Sequence, residues 1–448
     1  MSKTCSTRVG RFVHLLALTG GAWLLWSIYT LVVPEPEDLL PDSLDRVKAA
    51  AAPVAGQHET PDLLTTLETV LHSPVTSGNQ VEALINGDEI FPAMLSAISE
   101  ARQSIHLLTY IYWSGQIAEE FAKALGQAVD RGVDVRLIID GYGARTMPSE
   151  LFNRLESSGV QVVWFHPFTW YNIRHFNRRT HRKVMIVDNT VAFTGGVGIA
   201  QEWTGNARNA DEWRDDHFRI EGPAVRMLAG SFAENWLNAT GKLMQLDAAP
   251  QGEGSTKTPK PDNDDGARLM VLSTSPRGDL SPVALSYWTA LQLATHSVNI
   301  ATPYFVPDAA LARALLETAD RGVSVRLLLP GDYNDSWLAR YASLAFYQDL
   351  VGAGIAVHEY QPTMMHTKAM VIDDRWSLFG SPNFDNRSFE LNDEILVLAD
   401  DVKLAKSLNA SFEADLEQAR LIALNGSDLT DRIGQWAAHV LLIFREQI

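Results

Sequence analysis

The chain carries one eight-residue pattern twice, first as HRKVMIVD at His181–Asp188 and again as HTKAMVID at His366–Asp373. Each copy is a His-x-Lys pair followed by an apolar run and an aspartate. On a strand, residues i and i+2 point to the same face, so each histidine projects beside its lysine. A single such pair is usually an ordinary surface pair. Two copies that both end in aspartate at the same spacing favour one functional site built from both.

The sequence that precedes the two copies is also duplicated. DRGVDVRL at Asp130–Leu137 matches DRGVSVRL at Asp320–Leu327, and Gly159–Val160 matches Gly354–Ile355. In each half, an apolar run and a helical pattern come before these segments. Strands that alternate with helices predict an α/β fold, and the ordered matches predict two copies of one unit related by a pseudo-twofold axis. Chance similarity would not reproduce this order.

The residue types of the pattern suit displacement at a phosphodiester. Lysine ammonium groups neutralise its anionic oxygens and stabilise the more highly charged transition state. A neutral imidazole can attack phosphorus to form a covalent phosphoryl-enzyme, and a protonated one can donate a proton to the leaving alkoxide. The candidate catalytic motif residues are His181, Lys183, Asp188, His366, Lys368 and Asp373. We expect the two aspartates to act as structural anchors. Because two lysines can do the charge work of a metal ion, we expect no metal and no other cofactor.

Residues that follow each motif extend the candidate site. In GSPNFDNRS at Gly380–Ser388, small residues permit a tight turn from which Ser381 and Asn383 can bind phosphate oxygens. Glu394 and, in the first half, Asp215 are candidate carboxylates that orient an imidazole by accepting its N–H. For Asp215, an acid on a solvated strand edge is the alternative.

These residues together resemble the phospholipase D superfamily and, within it, the bacterial cardiolipin synthases, over about residues 80–425. The paired His-x-Lys-x4-Asp motifs carry the resemblance to the superfamily. The stretches that look like cardiolipin synthase in particular are Gly380–Ser388, Trp213–Asp215, Glu221–Pro223, Ala301–Pro307 and Glu359–Pro362.

The resemblance implies two phospholipase D-like α/β/α sandwich lobes with both histidines at the lobe interface. It also implies transfer of a phosphatidyl group from one phosphatidylglycerol to another, with release of glycerol. Superfamily precedent suggests His181 as the nucleophile of a phosphohistidine mechanism and His366 as the acid–base, although the sequence alone does not order them. A hydrolytic phospholipase D, a nuclease or other phosphodiesterase of the superfamily, and a scaffold without chemistry are the alternatives. Two intact motifs argue against the scaffold, whereas water and a lipid alcohol both remain open as acceptors.

One position departs from the pattern of the family. Seventeen residues after the first-motif histidine the family usually has asparagine, and this chain has Gly198, whereas the second half keeps Asn383. A phosphate hydrogen bond is therefore missing on the first side, or the backbone supplies it.

The N-terminal segment predicts attachment to a membrane. Phe12–Val33 contains 22 residues without Asp, Glu, Lys or Arg, and as a helix it would span roughly 30 Å, one hydrocarbon core. Basic residues precede this run and acidic residues follow it. The positive-inside rule therefore predicts a single-pass anchor in the bacterial inner membrane, with the catalytic body on the non-cytoplasmic side. A cleaved signal peptide is the alternative, although the apolar run is long for one.

The predicted organisation has six segments. Composition and motif positions indicate a membrane anchor at 1–33 with its transmembrane part at about 12–33, a spacer at 34–75, a first lobe at 76–247, a flexible linker at 248–266, a second lobe at 267–425 and a C-terminal amphipathic helix at 426–448. The linker is too rich in proline, glycine and charge to bury a core. The C-terminal helix could lie on the bilayer or pack on the catalytic body.

The net charge of the chain and an insertion in its first half indicate what kind of partner it binds. The 448-residue chain has a formal net charge of −17, which disfavours nucleic acid and leaves a phospholipid, with phosphatidylglycerol implied, and a membrane as the expected partners. Thirteen residues separate Pro167 from His181, and the insertion mixes aromatic residues with Arg178 and Arg179. That mixture suits an anionic headgroup at the entrance to the site, and an ordinary packed loop is the alternative. Cys5 is the only cysteine, so a disulfide within the chain is excluded.

Overall fold

The structure, a computed structural model, describes residues 62–167, 177–245, 266–275 and 281–423. The predicted anchor at 12–33, most of the spacer and linker, and the helix at 426–448 lie outside the described residues and stay predictions. Among the helices of the described ranges, none combines the length and the apolar character that a bilayer crossing requires.

The first half of the chain alternates strands with helices. Its strands are β1 (Val75–Ile85), β2 (Ser104–Thr109), β3 (Asp134–Asp140), β4 (Gln161–Phe165), β5 (Arg179–Thr180), β6 (Val184–Val187), β7 (Val191–Gly195) and β8 (Asp216–Glu221). Its helices are α1 (Leu63–Leu71), α2 (Asn86–Glu100), α3 (Gln116–Asp130), α4 (Ser149–Ser157) and α5 (Ala224–Thr240), with a 3-10 turn at Gln201–Trp203. In α3, Ile117, Phe121 and Leu125 recur at helical spacing and are all buried, which explains why this segment forms an amphipathic helix.

The second half repeats this alternation. Its strands are β9 (Ala267–Thr274), β10 (Ser297–Ala301), β11 (Phe305–Val306), β12 (Ser324–Pro330), β13 (Ala356–Tyr360), β14 (Ala369–Ile372), β15 (Trp376–Gly380), β16 (Phe384–Asp385), β17 (Asn392–Asp400) and β18 (Ala419–Leu421). Its helices are α6 (Pro282–Leu293), α7 (Ala309–Asp320), α8 (Trp337–Gly352), α9 (Asn386–Glu390) and α10 (Val402–Leu416). Asp308 caps α7 by accepting a hydrogen bond from the amide of Leu311 at 2.7 Å.

One continuous sheet joins the two halves. Its strand order is β18-β13-β12-β10-β14-β15-β17-β9-β1-β8-β7-β6-β2-β3-β4. Read outward from the antiparallel β9–β1 pair, β17, β15, β14, β10, β12 and β13 on one side correspond to β8, β7, β6, β2, β3 and β4 on the other. The outer three strands of each series run parallel. The predicted mixed α/β fold is confirmed, and the duplication seen in the sequence reappears in the strand order.

Helices cover both faces of this sheet. In the first half α2, α3 and α4 pack on one face and α5 on the other. On the second half α6, α7 and α8, joined by α1 from the first half, pack on one face and α10 on the other. A single apolar cluster contains residues of both halves, and within it the rings of Phe218 and Phe379 stack with centroids 3.8 Å apart. The halves therefore share a core, which holds the two motifs in a defined relative position.

The segment expected to be a spacer contributes to this core. Helix α1 begins after Asp62, which accepts a hydrogen bond from the amide of Thr65, and it buries Leu63, Leu64 and Leu67 among apolar residues of the second half. Part of the predicted spacer is thus packed structure.

The motif aspartates occupy equivalent turns. Asp188 follows β6 and accepts hydrogen bonds from the amides of residues 102, 103 and 104 at 2.7–2.9 Å. Asp373 follows β14 and accepts them from the amides of residues 295, 296 and 297 and from the hydroxyl of Thr295. Both residues have a φ of 52°, a left-handed conformation that Asp tolerates better than most residues. Each carboxylate thus ties the end of its motif strand to the start of the neighbouring strand.

Replacement of Asp373 by alanine should lower the free energy of unfolding by about 2–4 kcal/mol, since several amide donors lose a charged acceptor and alanine is strained at positive φ. Urea unfolding of the purified protein measures this change. Asp349→Ala, on the exposed side of α8, is the control and should change stability by less than about 0.5 kcal/mol. Equal stabilities of the two variants would contradict the anchoring role.

Candidate active site

A short strand pairing brings the first-motif histidine to a carboxylate of the other half. β5 pairs with β17 in parallel, with Thr180 opposite Asp393, and the amide of His181 donates to the carbonyl of Asp393 at 2.9 Å. The next residue along β17 is Glu394, whose carboxylate oxygens lie 2.9 and 3.1 Å from Nδ1 of His181. The register of this pairing therefore sets the imidazole against Glu394.

The second-motif histidine has the same arrangement, but its carboxylate comes from the first half. Arg214 forms a parallel bridge with Met365, and the amide of His366 donates to the carbonyl of Arg214 at 2.7 Å. The next residue, Asp215, has Oδ2 at 2.6 Å from Nδ1 of His366. Each histidine thus takes its carboxylate from the other half, so neither half holds a complete His–carboxylate pair. Sequence reasoning named both carboxylates but carried no information that the pairs cross.

Both lysines lie against the histidines of their own motifs. Nζ of Lys183 donates to the carbonyl of His181 at 2.9 Å and sits 5.5 Å from the ring centroid of Tyr110. Nζ of Lys368 donates to the carbonyl of His366 at 2.8 Å and lies 3.1 Å from its Nδ1. All four motif side chains are buried, so an anion that enters the site would meet poorly solvated ammonium groups, where their attraction is strongest.

The two motifs converge closely enough to act on each other electrostatically. The charge of Lys368 contributes to lowering the pKa of His181, and the charges of Lys183 and His181 contribute to lowering that of His366. The structure therefore brings the four groups of the predicted His-x-Lys pairs into one site. Within the described residues, no group of three or more His, Cys, Asp and Glu side chains has the arrangement of a metal site.

Burial dominates the protonation of these groups. It lowers the pKa of His181 to about 4, against the opposing charge of Glu394, and with the charge of Lys368 it holds the pKa of His366 well below its usual range. Burial and the charge of Lys368 lower the pKa of Lys183 to about 7, and burial lowers that of Lys368 to about 8. Burial thus favours the neutral form of both imidazoles in the free protein. A bound phosphodiester anion would raise all four pKa values and favour a protonated imidazole beside a neutral one.

The carboxylates of Glu394 and Asp215 accept hydrogen bonds from different kinds of donor. Glu394 accepts a short hydrogen bond from the hydroxyl of Ser381, which itself accepts the amide of Ile395 at 2.9 Å. Asp215 accepts the indole N–H of Trp203 at 2.8 Å. Ser381 is thus engaged with a carboxylate, and its predicted contact with phosphate stays a prediction.

Packing accounts for the glycines of the first half. A Cβ on Gly196 would lie 2.2 Å from a carboxylate oxygen of Asp215, so the place where the second half has a serine is filled by the acid itself. A Cβ on Gly198 would lie 2.8 Å from Cβ of Ile111, so asparagine cannot replace this glycine unless Ile111 moves. On the other side Asn383 is 5% exposed, and its Oδ1 has no hydrogen-bond partner among the described residues.

Aromatic rings from outside the two His-x-Lys motifs lie close to the imidazoles. The rings of Trp203 and Trp213 lie 5.2 and 5.6 Å from that of His366, centroid to centroid. The ring of Tyr110 lies 5.1 Å from that of His181. These rings narrow the space around each imidazole. Trp213 belongs to the stretch Trp213–Asp215, which resembles cardiolipin synthases. The sequence around Trp203 and Tyr110 carried no signal that distinguished these two residues.

The two arginines of the insertion have different environments. Arg178 is exposed. Arg179 is 2% exposed, donates to the carbonyl of His166 at 2.9 Å and lies 3.9 Å from a carboxylate oxygen of Asp140. Residues 168–176, the aromatic part of the insertion, lie outside the described residues. Binding of a headgroup by either arginine stays a prediction.

The chain is similar in sequence to one protein family and in overall fold to a solved structure. The family described as "Cardiolipin synthase, PLD-like domain" matches residues 94–212 and 287–416. Cardiolipin synthase 1 of Bacillus cereus is 33% identical over 361 residues, which cover 79% of this chain and 69% of that protein. Cardiolipin synthase A of Pseudomonas putida (strain GB-1) is 34% identical over 388 residues, which cover 85% and 78%. The crystal structure of a phosphatidylserine synthase from Haemophilus influenzae is similar in fold, with a TM-score of 0.63 at 12% identity over 86% of this chain and all of that one.

The crossed carboxylates should be needed for turnover. Asp215→Asn and Glu394→Gln each remove the charge that stabilises an imidazolium and replace one of two acceptor oxygens by an NH2 donor, so each should lower kcat for phosphodiester cleavage by at least roughly 10²-fold. The pH dependence of kcat should also change, which a merely structural defect would not cause. Asp349→Asn is the matched control. Wild-type pH profiles in both site variants would exclude an orienting role.

A third buried histidine predicts acid sensitivity. His217 on β8 is 2% exposed, and burial lowers its pKa to about 4. Its unfolded pKa is near 6.5, so the unfolded chain binds the proton first. The stability that depends on the neutral ring is complete above pH 6.5 and falls as the pH drops towards 4.

The His217→Gln variant lacks the pH-dependent contribution that the neutral histidine ring makes to stability. Between pH 6 and 5, wild-type stability should fall relative to the variant by up to about 1.4 kcal/mol, as measured by urea unfolding at each pH. A stability difference that does not change with pH would show that His217 is not neutral in the folded protein.

Proposed function

We propose that this chain, which belongs to the family of cardiolipin synthases with phospholipase D-like domains, moves a phosphatidyl group from one phosphatidylglycerol to another. Glycerol is released in this reaction. Its relatives are phosphatidyltransferases of the phospholipase D superfamily, and the chain is an enzyme of this class. The choice of phosphatidylglycerol as both donor and acceptor, and the covalent route through a histidine, are the proposal.

The observation that carries the proposal is the pair of crossed His–carboxylate contacts. In each pair Nδ1 faces the carboxylate, so the carboxylate does not engage Nε2, which at His366 lies 3.3 Å from Nζ of Lys368. Two imidazoles with the same support on opposite sides of one site suit a double displacement, because the first can attack while the second handles the proton.

The proposed reaction has two balanced steps. In the first, Nε2 of His181 forms a bond to phosphorus, the bond from phosphorus to the glycerol oxygen breaks, and the glycerol oxygen takes a proton from His366. In the second, His366 accepts the proton of a hydroxyl on another phosphatidylglycerol, whose oxygen bonds to phosphorus as the N–P bond breaks. The product is cardiolipin, and both imidazoles return to their starting states.

The lysines supply the charge that this reaction needs. Each step adds negative charge to the non-bridging phosphate oxygens in its transition state. Lys183 and Lys368 are buried, so their ammonium groups stabilise that charge with little screening by solvent. We further propose that Asn383, whose Oδ1 is unpartnered among the described residues, and Ser381 line the phosphate position.

We propose a membrane location as well. The apolar run at 12–33 is the proposed single-pass anchor, with the catalytic body on the non-cytoplasmic side of a bacterial inner membrane. Arg178, which is exposed, and Arg179 are proposed contacts for an anionic headgroup. A lipid substrate and an acidic chain are both consistent with this location.

Purified full-length protein, incubated with phosphatidylglycerol vesicles in the presence of EDTA, should form cardiolipin and glycerol in equal amounts. Lipid mass spectrometry and a glycerol assay measure the two products. His181→Ala and His366→Ala should each lower this rate by at least roughly 10³-fold, whereas His296→Ala, an exposed histidine, serves as the control.

Two results would overturn the proposal. Phosphatidic acid as the only lipid product would make the protein a hydrolytic phospholipase D. Full activity in either motif variant would show that the histidines do not form one site.

A further inference from the structure

The second half places a tyrosine beside the phosphate-binding turn. β11 pairs in parallel with β16, and the amide of Phe384 donates to the carbonyl of Tyr304 at 3.2 Å. Tyr304 is therefore next to the backbone that carries Asn383. This position matters because the unpartnered Oδ1 of Asn383 is the kind of buried polar atom that a ligand completes.

An exposed carboxylate lies against this tyrosine. Asp335 belongs to the loop between β12 and α8, and the hydroxyl of Tyr304 lies 2.8 and 2.7 Å from its two oxygens. The charge of Asp335 acts to raise the pKa of both His366 and Lys368, against the effect of burial. Because Tyr304 adjoins the backbone that carries Asn383, its contact with the exposed Asp335 puts a carboxylate at the solvent edge of the proposed site.

The equivalent positions of the first half are apolar. The hydroxyl of Thr109 donates to the carbonyl of Ile111 at 2.8 Å, as that of Thr302 does to the carbonyl of Tyr304 at 2.9 Å. Ile111 is therefore the counterpart of Tyr304, and it packs on Gly198, the counterpart of Asn383. The positions of the phenol of Tyr304 and the amide of Asn383 are thus taken on the other side by an isoleucine against a glycine, although the phenol of Tyr110 lies beside His181 there.

We propose that Asp335 and Tyr304 form a subsite for a polyol, in which Asp335 accepts a hydrogen bond from one hydroxyl while the neighbouring hydroxyl reacts at His366. This inference rests on the function proposed above and names the part of the site that selects the alcohol. An exposed carboxylate repels a phosphate, so Asp335 does not suit the phosphodiester itself. It suits a hydroxyl donor, and the phenol oxygen of Tyr304, whose proton is directed at Asp335, retains lone pairs for a second hydroxyl.

The subsite has a definite place in the proposed reaction. The alcohol leaves and enters beside the imidazole that handles its proton, which is His366 in the proposed order. The charge of Asp335 acts on His366, so a glycerol headgroup would be bound there in both steps. The apolar side, with Ile111 and Gly198, is left for the glyceride portion of the donor.

Competition between two alcohols tests the subsite directly. The full-length enzyme is given bis(4-nitrophenyl) phosphate as donor with glycerol and 1-propanol together at equal concentration, and mass spectrometry measures the two transfer products. Their ratio is independent of the fraction of folded enzyme. The wild type should favour glycerol, and Asp335→Ala should reduce the glycerol-to-propanol ratio about tenfold through loss of one charge-assisted hydrogen bond. Tyr304→Phe should reduce it less, and Asp332→Ala, an exposed acid of the same loop, should leave it unchanged.

Several outcomes would overturn the inference. A wild type without preference for glycerol, or an Asp335→Ala variant with the wild-type ratio, excludes the subsite. If 2-aminoethanol replaces glycerol as the preferred acceptor and Asp335→Ala abolishes that preference, the carboxylate recognises a cationic alcohol instead. Glycerol transfer that depends on Asp335, in an enzyme that makes no cardiolipin from phosphatidylglycerol vesicles, would uphold the subsite and refute the proposed function.

Discussion

The hydrogen bond between each motif histidine and a carboxylate of the other half is the contact on which the site depends. It requires the short parallel pairings at Thr180–Asp393 and Arg214–Met365 to have one register, because a shift of one residue would turn each carboxylate to the opposite face. It also requires the shared apolar core around Phe218 and Phe379, since motion of one half against the other would break both pairs together.

Burial makes this arrangement costly and also useful. Two imidazoles, two ammonium groups and two carboxylates lie in a volume with little access to solvent. In the free protein, burial drives the histidines to their neutral form and lowers the pKa of both lysines. An anionic phosphodiester offsets the positive charge, so the substrate itself completes the electrostatic balance. Part of its binding energy then serves to establish the protonation states that the chemistry uses.

The two halves share corresponding strands and turns, but these carry different side chains at the site. Corresponding strands and turns place Ser381 and Asn383 in one half where the other has Gly196 and Gly198. Around them, the indole of Trp203 holds one carboxylate while the hydroxyl of Ser381 holds the other. The proposed reaction, in which a polar alcohol leaves and enters on one face of phosphorus, would need different surroundings on its two sides, and the substitutions within the repeat supply such a difference.

Much of this protein could be determined from the sequence alone, because repetition and strand periodicity are local properties. The duplicated segments predicted an α/β fold of two similar halves, and the paired His-x-Lys motifs identified four groups that the structure brings into one site. Other features arise only in three dimensions. The crossing of the carboxylates follows from pairings between residues 213 and 151 positions apart, and nothing in either strand encodes its distant partner. The burial of Arg179, the entry of α1 into the core and the contact of Tyr304 with Asp335 were likewise decided by tertiary packing, since a side chain's environment depends on which distant segments cover it.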